Sequence, residues 1–128
     1  MSGGDEYSPF VWFMKSARKG MKRKGMSLDL IDFDKKDLKE LWDTQGGICA
    51  LSGLHMILDT ATGRATKRMP KNPYKASLDR IDSSKPYIKD NIQFVCMAIN
   101  FMKNEFGNDE IIDFINITRN SSQIDAVS

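Results

Sequence analysis

The chemistry open to this chain is set by three residues, Asp79, Asn91 and Asn100, all within KASLDRIDSSKPYIKDNIQFVCMAINFMKN at 75–104. Two short apolar runs flank a polar loop there, and helical spacing follows the second run. A carboxylate at a strand end and an amide on the facing helix are two oxygen donors for one hard divalent cation. Two protein ligands suit Mg²⁺, which keeps several waters and takes further oxygens from phosphate. Each residue also has a plain structural use, Asp79 as a turn carboxylate and Asn100 as a helix amide bonded to nearby backbone. Arg80 follows Asp79 directly. Its guanidinium stays charged at any working pH and accepts no proton, but it can clamp a phosphate.

The elements that must position these residues are short. ASLDRI (76–81) reads as a strand, DSSKPYIKD (82–90) as a polar loop and NIQFV (91–95) as a second strand. Met97–Asn104 has helical spacing, with Met97, Ile99 and Met102 available for packing. Upstream, Ser8-Pro9 signals a helix start, and Phe10, Phe13, Met14, Ala17 and Met21 recur as its apolar stripe. Gly20 weakens the last turn and Gly25 ends it. Asp34 caps a second helix, with Phe33 and Leu38 at the spacing of a hydrophobic staple and Gly46-Gly47 as its stop. Residues 48–58 read as a turn between extended pieces, and 59–75, with Gly63, Pro70 and Pro73, as a long loop. Asn108 caps a last helix that buries Ile111, Ile112 and Ile115. The ends, 1–7 and the tail from Asn120, are expected to be frayed.

A chain of 128 residues, 41% hydrophobic, is expected to make one domain with a modest core. No apolar run is long enough to cross a membrane and the first residues do not read as a secretory signal, so a cytoplasmic location is expected. Two cysteines, Cys49 and Cys96, are most simply two buried thiols. The net charge is only +2, but its distribution is segregated. Lys15, Arg18, Lys19, Lys22, Arg23 and Lys24 form one cluster, and Arg64, Lys67, Arg68, Lys71 and Lys75 another. Acidic residues gather in 29–43 and 105–113. Such a pattern suits a partner with a phosphate backbone, although a solvated face is the simpler reading of any one charge run.

Three stretches carry a resemblance to a known family: LWDTQGGICALSG (41–53), ASLDRIDSSKPY (76–87) and NIQFVCMAINFMK (91–103). They resemble the HNH, or ββα-metal, endonucleases, most closely the small freestanding kind that bacteriophages encode, homing endonucleases among them. The resemblance implies an α+β fold, helix-rich overall, with a ββα-metal core at 48–104, N-terminal helices at 8–47 and a C-terminal helix at 108–119. It implies hydrolysis of phosphodiester bonds in double-stranded DNA with Mg²⁺ or Mn²⁺, by a monomer or weak dimer. Asp79 and Asn100 would ligate the metal, and Asn91 would brace the loop of the catalytic site. Lys15, Arg18, Lys19, Lys22, Arg23, Arg64, Lys67, Arg68 and Lys103 are expected on the DNA.

Two departures from the family pattern bear on chemistry. Many relatives carry two C-x-x-C pairs that hold zinc, whereas here Cys49-Ala-Leu-Ser52 and Cys96-Met-Ala-Ile99 keep only the first thiol of each. Two thiols are too few for a closed zinc site, so no structural zinc is expected, and the cysteines should still lie near each other. Relatives also read Asp-His where this chain reads Asp79-Arg80, and that His takes the proton of the attacking water. Arg80 is expected to hold the phosphate and stabilise transition-state charge instead. The vacant role falls to His55, the only imidazole, to Asp82, or to no residue at all. Of these His55 is expected to hold it.

Overall fold

The computed structural model describes residues 5–58, 72–103 and 106–127. Its elements are α1 (Ser8–Arg23), α2 (Lys35–Gln45), β1 (Ala76–Arg80), β2 (Ile92–Cys96), α3 (Met97–Met102) and α4 (Asn108–Val127). The two strands pair antiparallel, in a register that sets Leu78 against Phe94 and Asp79 against Gln93. Among the described residues this is an α+β fold in which helices outweigh a two-stranded sheet. Residues 1–4 and the basic side chains of Arg64, Lys67, Arg68 and Lys71 lie outside the described residues.

Both N-terminal helices end by the same device. After α1, Gly25 at φ 72° lets its own N–H reach Lys22 O and the Met26 N–H reach Met21 O. After α2, Gly46 at φ 64° lets its own N–H reach Asp43 O and the Gly47 N–H reach Trp42 O. Only a residue without a Cβ takes this left-handed turn at no steric cost. At its start, α2 has a reciprocal capping box: Asp34 accepts from the N–H groups of Lys36 and Asp37, while Asp37 accepts from the N–H of Asp34. The bond from the Asp37 N–H, first among its causes, holds the Asp34 pKa below the usual aspartate value. This contribution to stability is present above the unfolded pKa and is lost as pH falls through the folded one.

The start of α1 differs from the sequence expectation by one position. Ser8 is its first helical residue, and Tyr7 stands at the cap with no side-chain bond. The Ser8 hydroxyl instead accepts from the Asp5 N–H at 2.9 Å. The tail also differs, because α4 continues through Val127. Between Asn108 and Val127 there is neither glycine nor proline to stop it.

The sheet separates two environments, because side chains alternate along a strand. Ala76, Leu78, Ile92, Phe94 and Cys96 are buried on one face. Phe94, fully buried, meets Phe13, Trp42 and Phe10 edge-on at ring separations of 5.0, 5.5 and 6.2 Å, so it joins the sheet to both α1 and α2. Ser77, Asp79, Gln93 and Val95 take the other face, toward α3. Gln45 at the end of α2 ties in the free edge of β2: its Oε1 accepts from Phe94 N–H at 2.9 Å and its Nε2 donates to Phe94 O at 3.0 Å. With the Ala50 N–H, which also donates to Phe94 O at 3.0 Å, this side chain covers the open edge.

Candidate metal and nucleic-acid site

The loop between the strands is held by Asn91, whose side chain uses its oxygen and its amide nitrogen on backbone. Its Oδ1 accepts from Asp82 N–H at 2.9 Å, and its Nδ2 donates to Asp82 O and Pro86 O, both at 3.0 Å. The residue is buried, so these bonds replace water rather than compete with it. Asp82 in turn accepts from the hydroxyl and the N–H of Ser84, and these two bonds, the hydroxyl first, keep its pKa below the usual aspartate range. A carboxylate held in its charged form this way is a poor proton acceptor near neutrality.

Asp79 on β1 and Asn100 on α3 both lie at the β1–α3 seam, where α3 reaches β1 through Asn100 to Ser77 and through Lys103 to Asp79. Asn100 Nδ2 donates to Ser77 Oγ at 2.5 Å, and Ser77 lies on the same face of β1 as Asp79. With its Nδ2 so committed, Asn100 has its Oδ1 left as an acceptor. Asp79 is 6% exposed, and its Oδ2 accepts from Lys103 Nζ at 2.5 Å and Gln93 Nε2 at 3.0 Å. Its Oδ1 takes no hydrogen bond from the described residues. Two oxygens, one charged and one neutral, are thus available on facing elements, a donor set that fits a hard divalent cation. No cluster of three His, Cys, Asp or Glu residues stands among the described residues, so a cation there would need water and phosphate to complete its shell.

Lys103 departs from expectation. Rather than facing DNA it is buried beside Asp79, its Nζ also donating to Arg80 O at 2.7 Å. It lies three positions after Asn100, on the same face of the helix, which is the signal by which sequence alone could have found it.

Arg80 alternates to the opposite face of β1 from Asp79. Its Nη1 donates to Lys85 O at 3.1 Å and its guanidinium lies 5.1 Å from the centre of the Tyr87 ring. Tyr87 itself sits against Gly20: a Cβ there would come within 2.9 Å of its ring. The glycine that weakens the end of α1 is the space into which the Tyr87 ring packs. Burial raises the Tyr87 pKa, and both Arg80 and Arg23 act against that rise. The basic end of α1 and the loop-bearing end of β1 therefore adjoin. On α1, Lys15, Arg18, Lys19, Lys22 and Arg23 are all exposed, while the stripe of Phe10, Phe13, Met14, Ala17 and Met21 is buried.

No protein family, curated protein or solved structure matches this chain.

The two cysteines come together as expected. The Cys96 N–H and the Ser52 N–H both donate to Cys49 Sγ at 3.4 Å, and Ser52 Oγ lies 3.8 Å from Cys96 Sγ. The neighbouring thiol, first among the causes for each, draws the Cys49 pKa down and pushes that of Cys96 up. This cluster fixes the 49–54 turn to the junction of β2 and α3, and so to the helix carrying Asn100.

His55 is not brought to this site. It is exposed and bridges Ile48, while Ile57 lies parallel to Lys75, ahead of the start of β1. Among the described residues around Asp79 the side chains are Ser77, Gln93, Asn100 and Lys103, with Arg80 beyond, and none has an imidazole's readiness to accept a proton.

Proposed function

We propose that the chain is a metal-dependent DNA endonuclease of the small freestanding HNH kind, with β1, β2 and α3 as its ββα-metal core. The observation that carries this reading is the packing of α3 on β1 at one seam, with Asn100 bonded to Ser77 and Lys103 to Asp79, beside a loop locked by Asn91. A backbone-locked loop beside two oxygen-bearing side chains at one seam is a preorganised arrangement that suits a cation and a phosphate. Asp79 and Asn100 would hold Mg²⁺ or Mn²⁺, which would polarise the scissile phosphate and stabilise the leaving oxygen. Arg80, fixed by Lys85 O and the Tyr87 ring, would pair with phosphate when DNA lies along α1. The exposed cations of α1 would follow the backbone without choosing a sequence.

A second reading has its own support. Arg80 stands where a proton acceptor is needed, and His55 is held by Ile48 instead of Asp79. A module that binds DNA and does not cut it is consistent with both. Supercoiled plasmid incubated with the protein and Mg²⁺ or Mn²⁺, with and without chelator, separates the two. Cation-dependent nicking that chelator abolishes is the expected result; retarded plasmid without nicking would leave only the binding module.

Two further outcomes are expected. Neutralising Lys15, Arg18, Lys19 and Lys22 should weaken binding to all duplexes alike. It should also lower the slope of log K against log salt by about 0.9 for each phosphate no longer neutralised. An unchanged slope in anisotropy titrations would mean that the face is merely solvated. His55→Ala should nick plasmid at nearly the wild-type rate, since the exposed side chain makes no described hydrogen bond to Asp79 or Asn100. A fall of the order of 10²-fold, the scale of a missing general base, would place it back in the reaction.

A further inference from the structure

Lys103 and Asp79 make the one ion pair among the described residues in which both side chains are deeply buried, at 6% and 8% exposure. Every other ion pair described has a partner at 30% exposure or more. A buried carboxylate without a counter-charge is strongly unfavourable, so a cation beside Asp79 stabilises its charged form in the fold. With no metal bound that cation is the Lys103 ammonium, and a divalent ion on Asp79 and Asn100 would bring a second positive charge into the same small volume. At these separations in a poorly hydrated site, two cations repel strongly.

We infer that Lys103 is an exchangeable counter-ion of the cation site: its ammonium holds Asp79 until a divalent cation displaces it. This rests on the reading of Asp79 and Asn100 as cation ligands given above. The geometry supports exchange rather than a permanent lock. Lys103 is the residue immediately after α3, at its cap, so its backbone is not constrained from both sides by helix. Its four-carbon stem is flexible. Two of its bonds are to Asp79 Oδ2 and the Arg80 carbonyl, and the second acceptor stays in place if the first is given up. Gln93 Nε2, a neutral donor at 3.0 Å, keeps one bond to Asp79 and does not repel a metal.

A consequence concerns substrate. In the free protein a divalent ion must overcome the ammonium, so affinity for it is low. A phosphate diester entering the site adds a negative charge that both cations share, and the displaced ammonium gains a partner. Cation and DNA therefore bind with positive coupling, and by linkage each raises affinity for the other equally.

The test is a Mn²⁺ titration of the full-length protein without DNA, followed by the decline of the free-ion paramagnetic resonance signal. Wild type, Lys103→Met and Lys103→Arg are compared, with Asp79→Asn as the control for site. Lys103→Met is expected to bind Mn²⁺ at least about tenfold more tightly than wild type, because the competing charge is gone. Lys103→Arg keeps the charge and the weak affinity, and Asp79→Asn abolishes binding. Lys103→Met leaves Asp79 unpaired and could unfold on its own account, so thermal unfolding with and without Mn²⁺ is recorded alongside. Mn²⁺ should raise its Tm, or restore its fold, to a greater extent than it stabilises wild type. Equal Mn²⁺ affinity in wild type and Lys103→Met, with equal shifts in Tm, would overturn the exchange. Failure of the nuclease reading looks different: plasmid would stay intact with every cation while the tenfold gain in Lys103→Met remained.

Discussion

Asn100→Ala is expected to lower cation-dependent nicking by about 10²- to 10³-fold, the scale on which removing one group that stabilises transition-state charge is felt. Its affinity for duplex DNA should stay close to wild type, because the cations of α1 lie on another element. Asn100 is a cleaner probe than Asp79. The Asn100 amide is neutral and has one described side-chain bond, to Ser77 Oγ. Removing the Asp79 carboxylate would strand the Lys103 ammonium among buried groups. Breaking a buried pair from one side costs about 3–5 kcal/mol, so Asp79→Ala would mix impaired chemistry with impaired stability. Initial nicking rates, anisotropy with a short labelled duplex and a circular dichroism melt on Asn100→Ala keep the effects apart. Full activity with an intact fold would remove Asn100 from the site.

The second large effect is on stability. Phe94→Ala is expected to cost about 3–5 kcal/mol, measured as the shift in denaturant midpoint at unchanged slope. Phe94 is fully buried and its ring is met by Phe10, Phe13 and Trp42, so no single neighbour can relax into the space it leaves. A domain of this size is stable by about 5–15 kcal/mol in all, so the variant would stand near the folding threshold. The damage would reach the site as well, since Phe94 neighbours Gln93 and pairs with Leu78 beside Asp79. A cost below about 1 kcal/mol would mean that the sheet does not depend on the helical layer for its stability.

Much of what depends on local chemistry is legible in the sequence, though the start of α1 is not, since Tyr7 rather than Ser8 takes the cap. The cap at Asp34, the glycine stops at Gly25 and Gly46, and both strands follow from residue type and short spacing, and all formed. The brace role of Asn91 comes from the family resemblance, and the structure bonds its side chain to Asp82 and Pro86 in the same loop. The approach of Cys49 to Cys96 is expected only through the resemblance, each standing where the family has the first thiol of a C-x-x-C pair. Long-range geometry is not legible. Gln45 reaches Phe94 across 49 positions, and nothing near either residue announces that bond. A lysine is usually a surface cation, so the residue type at 103 points away from its actual place. Its burial follows from the rotation of α3 over β1, which periodicity alone does not fix. The chemistry of the only imidazole points His55 toward a proton role, whereas its bridge to Ile48 is set by the turn that Gly53, at φ 76°, allows. Residue type names what a side chain can do, but not which way the strand beneath it runs.

The central claim is that Asp79 and Asn100 together hold a divalent cation against DNA. Anomalous diffraction from crystals of the protein bound to a short duplex, grown with Mn²⁺, tests it directly. A manganese peak within about 2.0–2.6 Å of one Asp79 carboxylate oxygen and of Asn100 Oδ1, with a phosphate oxygen in the same shell and Lys103 Nζ moved off Asp79, is the expected result. A complex with DNA in place, Lys103 still paired to Asp79 and no manganese between Asp79 and Asn100 would contradict it.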